Sequence, residues 1–137
     1  MKNLKNPLNK QGLGMLVGLF IQYLFGMSTN LFVHFPESGN EGDMWQFATS
    51  QFLFNLHLYW GILLLIGAVI LYIRAFIQKN KTWKIASGFG LAFIIFAFIA
   101  GMSFVGNQND LYSFVMSVSF LAAFVAYGWG LYKTRTK

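Results

Sequence analysis

The chain contains no cysteine, which excludes a disulfide, a thiolate metal site and a covalently attached c-type haem. Charge is also scarce. Charged residues make up 10% of the 137, against about 25% in soluble domains. The four acids, Glu37, Glu41, Asp43 and Asp110, lie in two short stretches and none falls inside an apolar run. A proton-coupled pump or antiporter therefore lacks its usual intramembrane carrier. No segment reads as a Walker loop, a nucleophile elbow or a zinc-protease helix, so an autonomous hydrolase is not expected.

Apolar residues fill the space that charge leaves. They account for 56% of the chain, and aromatics for 19%, concentrated in four runs over about 13–33, 52–77, 85–105 and 111–132. Each has about the 20 residues needed to cross ~30 Å of hydrocarbon at ~1.5 Å per residue. The expectation is one all-α domain over 1–137, an integral membrane four-helix bundle. The first run follows Lys2, Lys5 and Lys10 as a signal peptide would. It is longer than the roughly 7–15-residue core of such a signal and meets Phe35-Pro36-Glu37 instead of a small-x-small cleavage site, so it is read as retained.

The ten Lys and Arg fall in three places: Lys2, Lys5 and Lys10; Arg74, Lys79, Lys81 and Lys84; Lys133, Arg135 and Lys137. The acids occupy the alternate loops. By the positive-inside rule, both termini face the cytoplasm and the chain is a multi-pass protein of the cell membrane. The net charge of +6 is a topology signal that anionic lipid would reinforce, and it carries no nucleic-acid reading.

Along the first helix, Gly14, Gly18, Gln22 and Gly26 recur at four-residue spacing and share a face. Small residues in such a row let helices approach closely, and Gln22 among them is expected to hydrogen-bond across a helix interface. The following stretch, Phe35 to Gln51, reads as an outer loop with turns at Pro36 and Ser-Gly-Asn-Glu-Gly; Trp45 and Phe47 place its second half at the membrane interface. Small-residue faces continue as His57, Gly61, Ala68 and Ala75; as Ala86, Gly90, Ala97 and Gly101; and as Met116, Ser119, Ala123, Ala126 and Gly130. Gly26-Met27-Ser28 recurs as Gly101-Met102-Ser103, while His57 precedes Arg74 and Met116 precedes Lys133 by the same 17 residues. These matches suggest a parallel two-helix repeat.

His57 is the first candidate site. Its spacing from Arg74 puts it ~25 Å from the basic interface, about a turn inside the other one. The repeat sets Met116 at the same depth on the opposite helix. Histidine and methionine are an axial pair for haem iron, so haem b between His57 and Met116 is one reading; a hydrogen-bonding strut with Met116 as apolar filling is the other. His34, near the surface, could replace Met116 as an axial ligand or join Glu37, Glu41 and Asp43 in a metal site. A polar belt of Ser28, Thr29, Asn30, Asn55, Ser103, Asn107 and Ser113 could line a shallow outward cavity for a small ligand or a lipid headgroup, or serve as interhelical glue.

On "GMSTNLFV" (26–33), "LHLYWGILLLIGAVILYIRA" (56–75), "GMSF" (101–104) and "DLYSFVMS" (110–117), the chain resembles small four-helix integral membrane proteins of Gram-positive bacteria that carry no assigned function. In outline it is similar to membrane b-type cytochromes, in which several histidines hold haem. With two histidines here, that likeness implies one haem at most. The functional expectation is a haem-b-binding membrane protein acting in haem handling, sensing or one-electron transfer near the outer leaflet. The alternatives are a non-catalytic accessory subunit packed against copies of itself or a larger membrane complex, and a small-solute permeation unit lined by the polar belt.

Overall fold

Helix starts in this chain are set by asparagine caps. Asn6 accepts from the Leu8 N–H at 3.0 Å with Pro7 in the first turn, and Asn80 accepts from the Trp83 N–H at 3.0 Å. Asn40 and Asp43 form a reciprocal capping box, satisfying donors that a helix start leaves open. The computed structural model describes residues 6–36 and 39–135. Among these it is helical, with α1 (Pro7–Phe32), α2 (Glu41–Ser50), α3 (Phe52–Ile77), α4 (Lys81–Asn107) and α5 (Asp110–Arg135). Four of them, α1, α3, α4 and α5, are long and apolar enough to cross a membrane.

Two expectations are corrected. The stretch Phe35 to Gln51 is not all loop, because the capping box nucleates α2 within it. The first long helix begins at Pro7, not near residue 13, because Asn6-Pro7 supplies a cap and a preset φ, and the polar residues Asn9, Lys10 and Gln11 lie inside the helix. The helices also end on defined signals. Lys79, after α3, and Gln108, after α4, adopt left-handed φ values of 52° and 50°. The Asn80 N–H then closes onto the Ala75 carbonyl at 3.1 Å, satisfying an end carbonyl.

Around the bundle the neighbours are α1–α3, α3–α4, α4–α5 and α5–α1, which leaves α3 diagonal to α5; α2 rests on α3 and α4. The end that carries Lys10, Arg74, Lys84 and Lys133, termed here the basic end, is densely packed. Leu8, Leu71, Ala75, Trp83 and Tyr127 are closed off there in one core. The Trp83 Nε1–H donates to Asn9 Oδ1 at 2.8 Å, and the Thr134 hydroxyl donates to the same oxygen at 2.9 Å. These bonds tie α1, α4 and α5 together and set both chain ends at one end of the bundle. Arg74 donates to Gln11 Oε1 at 2.9 Å, and the Gln11 amide donates to the Gly67 carbonyl at 3.2 Å, clamping α1 to α3. At the other, acidic end, a smaller core of Ala48, Phe54 and Val105 seats α2 against the bundle.

The small-residue faces are packing faces: Ala68, Ala75, Ala86, Gly90, Ser119, Ala123 and Gly130 are buried. On α1 the row holds only in part. Gly18, Gln22 and Gly26 meet α3, but nothing lies near Gly14. Four residues advance a helix by ~400°, so each step drifts ~40° and the row has turned off the contact by Gly14. Gly12, outside the row, makes the closest approach instead: a Cβ there would lie 2.0 Å from the Trp83 ring.

Candidate functional site

Between the two cores the bundle encloses a cavity of about 710 Å³. Leu19, Leu64 and Ile94 floor it, and Phe35, Trp45 and Val105 border it toward the acidic end. The space exists because α1 and α5 separate. Neither α1 from Phe20 to Phe32 nor α5 from Asp110 to Val118 has a buried residue, whereas both are buried toward the basic end.

Three of the chemistry-bearing side chains that line this cavity each rest on a glycine of a neighbouring helix. The His57 ring of α3 packs on Gly26 of α1, where a Cβ would come within 3.0 Å of Cε1. Gln22 of α1 packs on Gly61 of α3 at 3.1 Å by the same measure, so the two helices interlock. On the diagonal helix α5, the Met116 sulfur lies against Gly101 of α4, 3.2 Å from a Cβ there. The Gly26–His57 and Gly101–Met116 contacts thus fall at corresponding places of the two halves that the sequence aligns.

Gln22 Nε2 lies 3.3 Å from His57 Nε2, so the amide N–H donates to an unprotonated Nε2. Gln22 Oε1 and His57 Nδ1 are then buried without a hydrogen-bond partner among the described residues. Reversing the amide lets Oε1 accept from an Nε2–H but still leaves one polar atom of each side chain unpaired. An unsatisfied buried group costs roughly 1–3 kcal/mol. His57 is accordingly both an interhelical strut and part of the cavity wall.

Of the other sequence candidates, Met116, His34, Asn30 and Ser113 line the cavity, with His34 and Asn30 exposed at its rim. Ser28, Ser103 and Asn55 do not. The Ser28 hydroxyl donates to the Leu24 carbonyl of its own helix at 2.9 Å, and the Ser103 carbonyl accepts from Asn107 at 3.0 Å. Asn55 donates to the Thr49 carbonyl at 2.7 Å, holding the α2–α3 corner. Among the described residues of the belt, only Thr29 and Asn55 bond to a different helix, while Ser28 satisfies its hydroxyl on the preceding turn of its own helix.

No group of three or more His, Cys, Asp or Glu converges among the described residues. Of the acids that His34 was expected to join, Asp43 is engaged in the α2 capping box, Glu41 lies over Gly106, and Glu37 lies outside the described residues. Sequence reasoning missed Trp60, whose Nε1–H donates to the Gly18 carbonyl at 2.9 Å; Thr29 of the polar belt borders the cavity and donates to the Leu53 carbonyl at 3.2 Å. An indole N–H buried in a helix bundle needs a partner, which is the signal that could have flagged Trp60. Compared with known proteins, the chain matches no family model, no curated sequence and no solved structure.

Proposed function

We propose that the chain is a membrane-embedded binding protein whose cavity takes a ligand with an apolar body and a polar group. The observation that carries this reading is the 710 Å³ cavity, walled mainly by apolar side chains and edged by Asn30, His34 and Ser113. Charge distribution assigns the basic end to the cytoplasm, so the cavity serves the outer half of the membrane. The packed floor at Leu19, Leu64 and Ile94, with Trp83 and Tyr127 closed off beneath it, favours binding over passage of a solute.

Haem b is the second reading, favoured because His57, Met116 and His34 share this cavity. Imidazole and thioether suit haem iron in kind. Their presentation does not fit: His57 Nε2 is engaged by Gln22 and the Met116 sulfur is packed on Gly101, so both side chains would have to turn. An apolar organic ligand that fills the cavity requires neither to move. The accessory-subunit reading draws on exposed apolar residues such as Phe32, Phe52 and Ile77, which a lipid bilayer also covers.

The test is native mass spectrometry of the protein released from lipid nanodiscs, beside an absorption spectrum with and without added haemin. A small-molecule adduct that Ala97→Phe removes, by filling the cavity, is the expected result. A folded wild-type protein that holds neither an adduct nor haemin would refute the binding reading. A Soret band lost in His57→Ala would instead promote haem to first place.

A further inference from the structure

Most of the amides, imidazoles and aliphatic hydroxyls that line the cavity are engaged inside the protein. Gln22 and His57 meet each other, and their remaining polar atoms are shut in the α1–α3 contact. The Thr29 hydroxyl is shared between the Phe25 and Leu53 carbonyls. Ser117 donates to the Ser113 carbonyl at 3.0 Å, and Gln108 donates to the Val105 carbonyl at 3.0 Å. Three lining residues differ. The side chains of Asn30, His34 and Ser113 make no hydrogen bond among the described residues.

The register of α1 and α5 places these three together at the rim. The two helices run antiparallel and meet at the ring pair Tyr23–Phe120, with centroids 6.0 Å apart. Seven residues make about two turns and return to the same face. Asn30 and Ser113 each lie seven residues farther toward the acidic end, so they stand at one depth on the two walls. His34 follows one turn beyond Asn30. An amide and a hydroxyl both donate and accept, which matches a ligand group that does the same.

The rest of the lining offers a ligand little but carbon. Leu19, Leu64 and Ile94 form the floor, and Ala97, Phe98 and Leu121 stand between floor and rim. No Asp, Glu, Lys or Arg lines the cavity, so a charged group would lose its water without gaining a counter-charge. Glu41, Asp43 and Asp110 at the acidic end would also repel an anionic head. The ligand is therefore an uncharged amphiphile, polar at the rim and apolar below it.

Depth and volume set its size. From Asn30 down to Leu19, α1 covers ~16 Å by helical rise. That is the length of about 13 methylenes, since ordinary C–C bonds and angles advance an extended chain by ~1.25 Å each. With a methylene near the ~30 Å³ of a water, one such chain takes ~400 Å³. The 710 Å³ cavity then has room for a small head, and a second chain would overfill it.

We propose that the cavity holds one alkyl chain, of about 14 carbons, of an uncharged lipid of the monoacylglycerol type. The chain end rests on Leu19, Leu64 and Ile94, and Asn30 and Ser113 hydrogen-bond the hydroxylated head. This inference rests on the binding reading above and names the ligand class for that same site.

The experiment places the protein in phosphatidylcholine nanodiscs with 1-myristoylglycerol that carries a diazirine at its chain end, and maps the photolabel by peptide mass spectrometry. Labels on lipid-facing residues outside the cavity are the internal control. The expected result is saturable labelling of Leu19, Leu64 or Ile94 that unlabelled 1-myristoylglycerol displaces and Ala97→Phe abolishes. Asn30→Leu combined with Ser113→Ala should weaken that competition about tenfold. The lysophosphatidate with the same chain and glycerol should fail to compete. Equal competition by the lysophosphatidate, or unchanged affinity in the rim variant, would overturn the uncharged, rim-bound head. Label confined to lipid-facing residues would overturn the lipid class altogether. In that case an adduct or bound haemin that Ala97→Phe removes would keep the binding reading, and a protein that holds neither would end it. If Ala97→Phe does not fold, Leu121→Trp, at an exposed lining position, takes its place, and the label should move from the floor toward the rim.

Discussion

Gly12 and Gly14 lie two residues apart on α1, and substituting each with alanine should have opposite effects. A Cβ on Gly12 would sit 2.0 Å from the tip of the Trp83 ring, and 2.7 and 2.8 Å from two further ring atoms. The ring cannot step aside. Its Nε1–H is held by Asn9, it is fully buried, and a Cβ built on Gly130 comes within 3.0 Å of its other edge. Overpacking of this kind costs about 1–3 kcal/mol, and the helix preference of alanine over glycine returns about 1 kcal/mol at most. With the closest contact at 2.0 Å the overpacking lies toward the upper end of that range, and the net effect of Gly12→Ala is a loss of up to about 2 kcal/mol. At Gly14 nothing lies within 4 Å of the added carbon, so only the helix preference acts and Gly14→Ala should gain up to about 1 kcal/mol. Both variants can be compared by thermal unfolding in one detergent, reading helical ellipticity and fluorescence together. Equal stability of the two, or a Gly12→Ala variant as stable as wild type, would refute the Trp83 packing on which the basic end depends.

Four further outcomes follow from other contacts. Asn9→Ala leaves the buried Trp83 N–H without its acceptor and should cost roughly 1–3 kcal/mol; in the Asn9→Ala, Trp83→Phe double variant the penalties should be less than additive, as denaturant titration of the four proteins would show. Tyr127 is fully buried with a hydroxyl that finds no partner among the described residues, so Tyr127→Phe should raise the unfolding midpoint, by about 1 kcal/mol in stability, and a drop would mean the hydroxyl is engaged. Lys79→Gly should stabilise the α3–α4 turn by about 0.5–1 kcal/mol, because φ is 52° there and glycine carries no left-handed penalty; Lys79→Ala serves as the control that gains nothing. Asn40→Ala opens the α2 capping box at a cost of about 1 kcal/mol, which should appear as faster backbone hydrogen exchange over 41–50 with the long helices unchanged.

The four long helices were legible because apolar runs of membrane length are interrupted by charge only at their ends. α2 was harder to see, since it is ten residues long and its glycine- and proline-rich approach reads as turn; only the Asn40–Asp43 spacing announced it. Gln22 was legible as an interhelical hydrogen bonder, but not its partner, because the depths of His57 and Gln22 relative to their own helix ends differ. His57 and Met116 both border one cavity, while the glycine beneath each, which turns both toward adjacent helices, depends on rotation about the helix axis that four-residue spacing follows only over two or three turns. Asn9 was hidden inside what looked like a polar lead, and Trp83 lies among the lysines of a presumed loop. Both are legible only once helix caps are read ahead of hydropathy.

The bonding of Asn9 to Trp83 and Thr134 has a mechanical consequence. It makes the basic end a pivot, and α1, moving with the α3 that Gly18, Gln22 and Thr29 tie it to, a lever arm above it. From Gly12 to Asn30 that arm is ~27 Å long by helical rise, so a tilt of about 5° swings its tip by ~2 Å, enough to change the separation of α1 and α5 beside the cavity without disturbing the pivot. A stiffer or looser pivot would thus alter how quickly the cavity exchanges its contents, although no atom of the pivot lines the cavity. Residence time and affinity come under the control of different parts of the chain, one at each end.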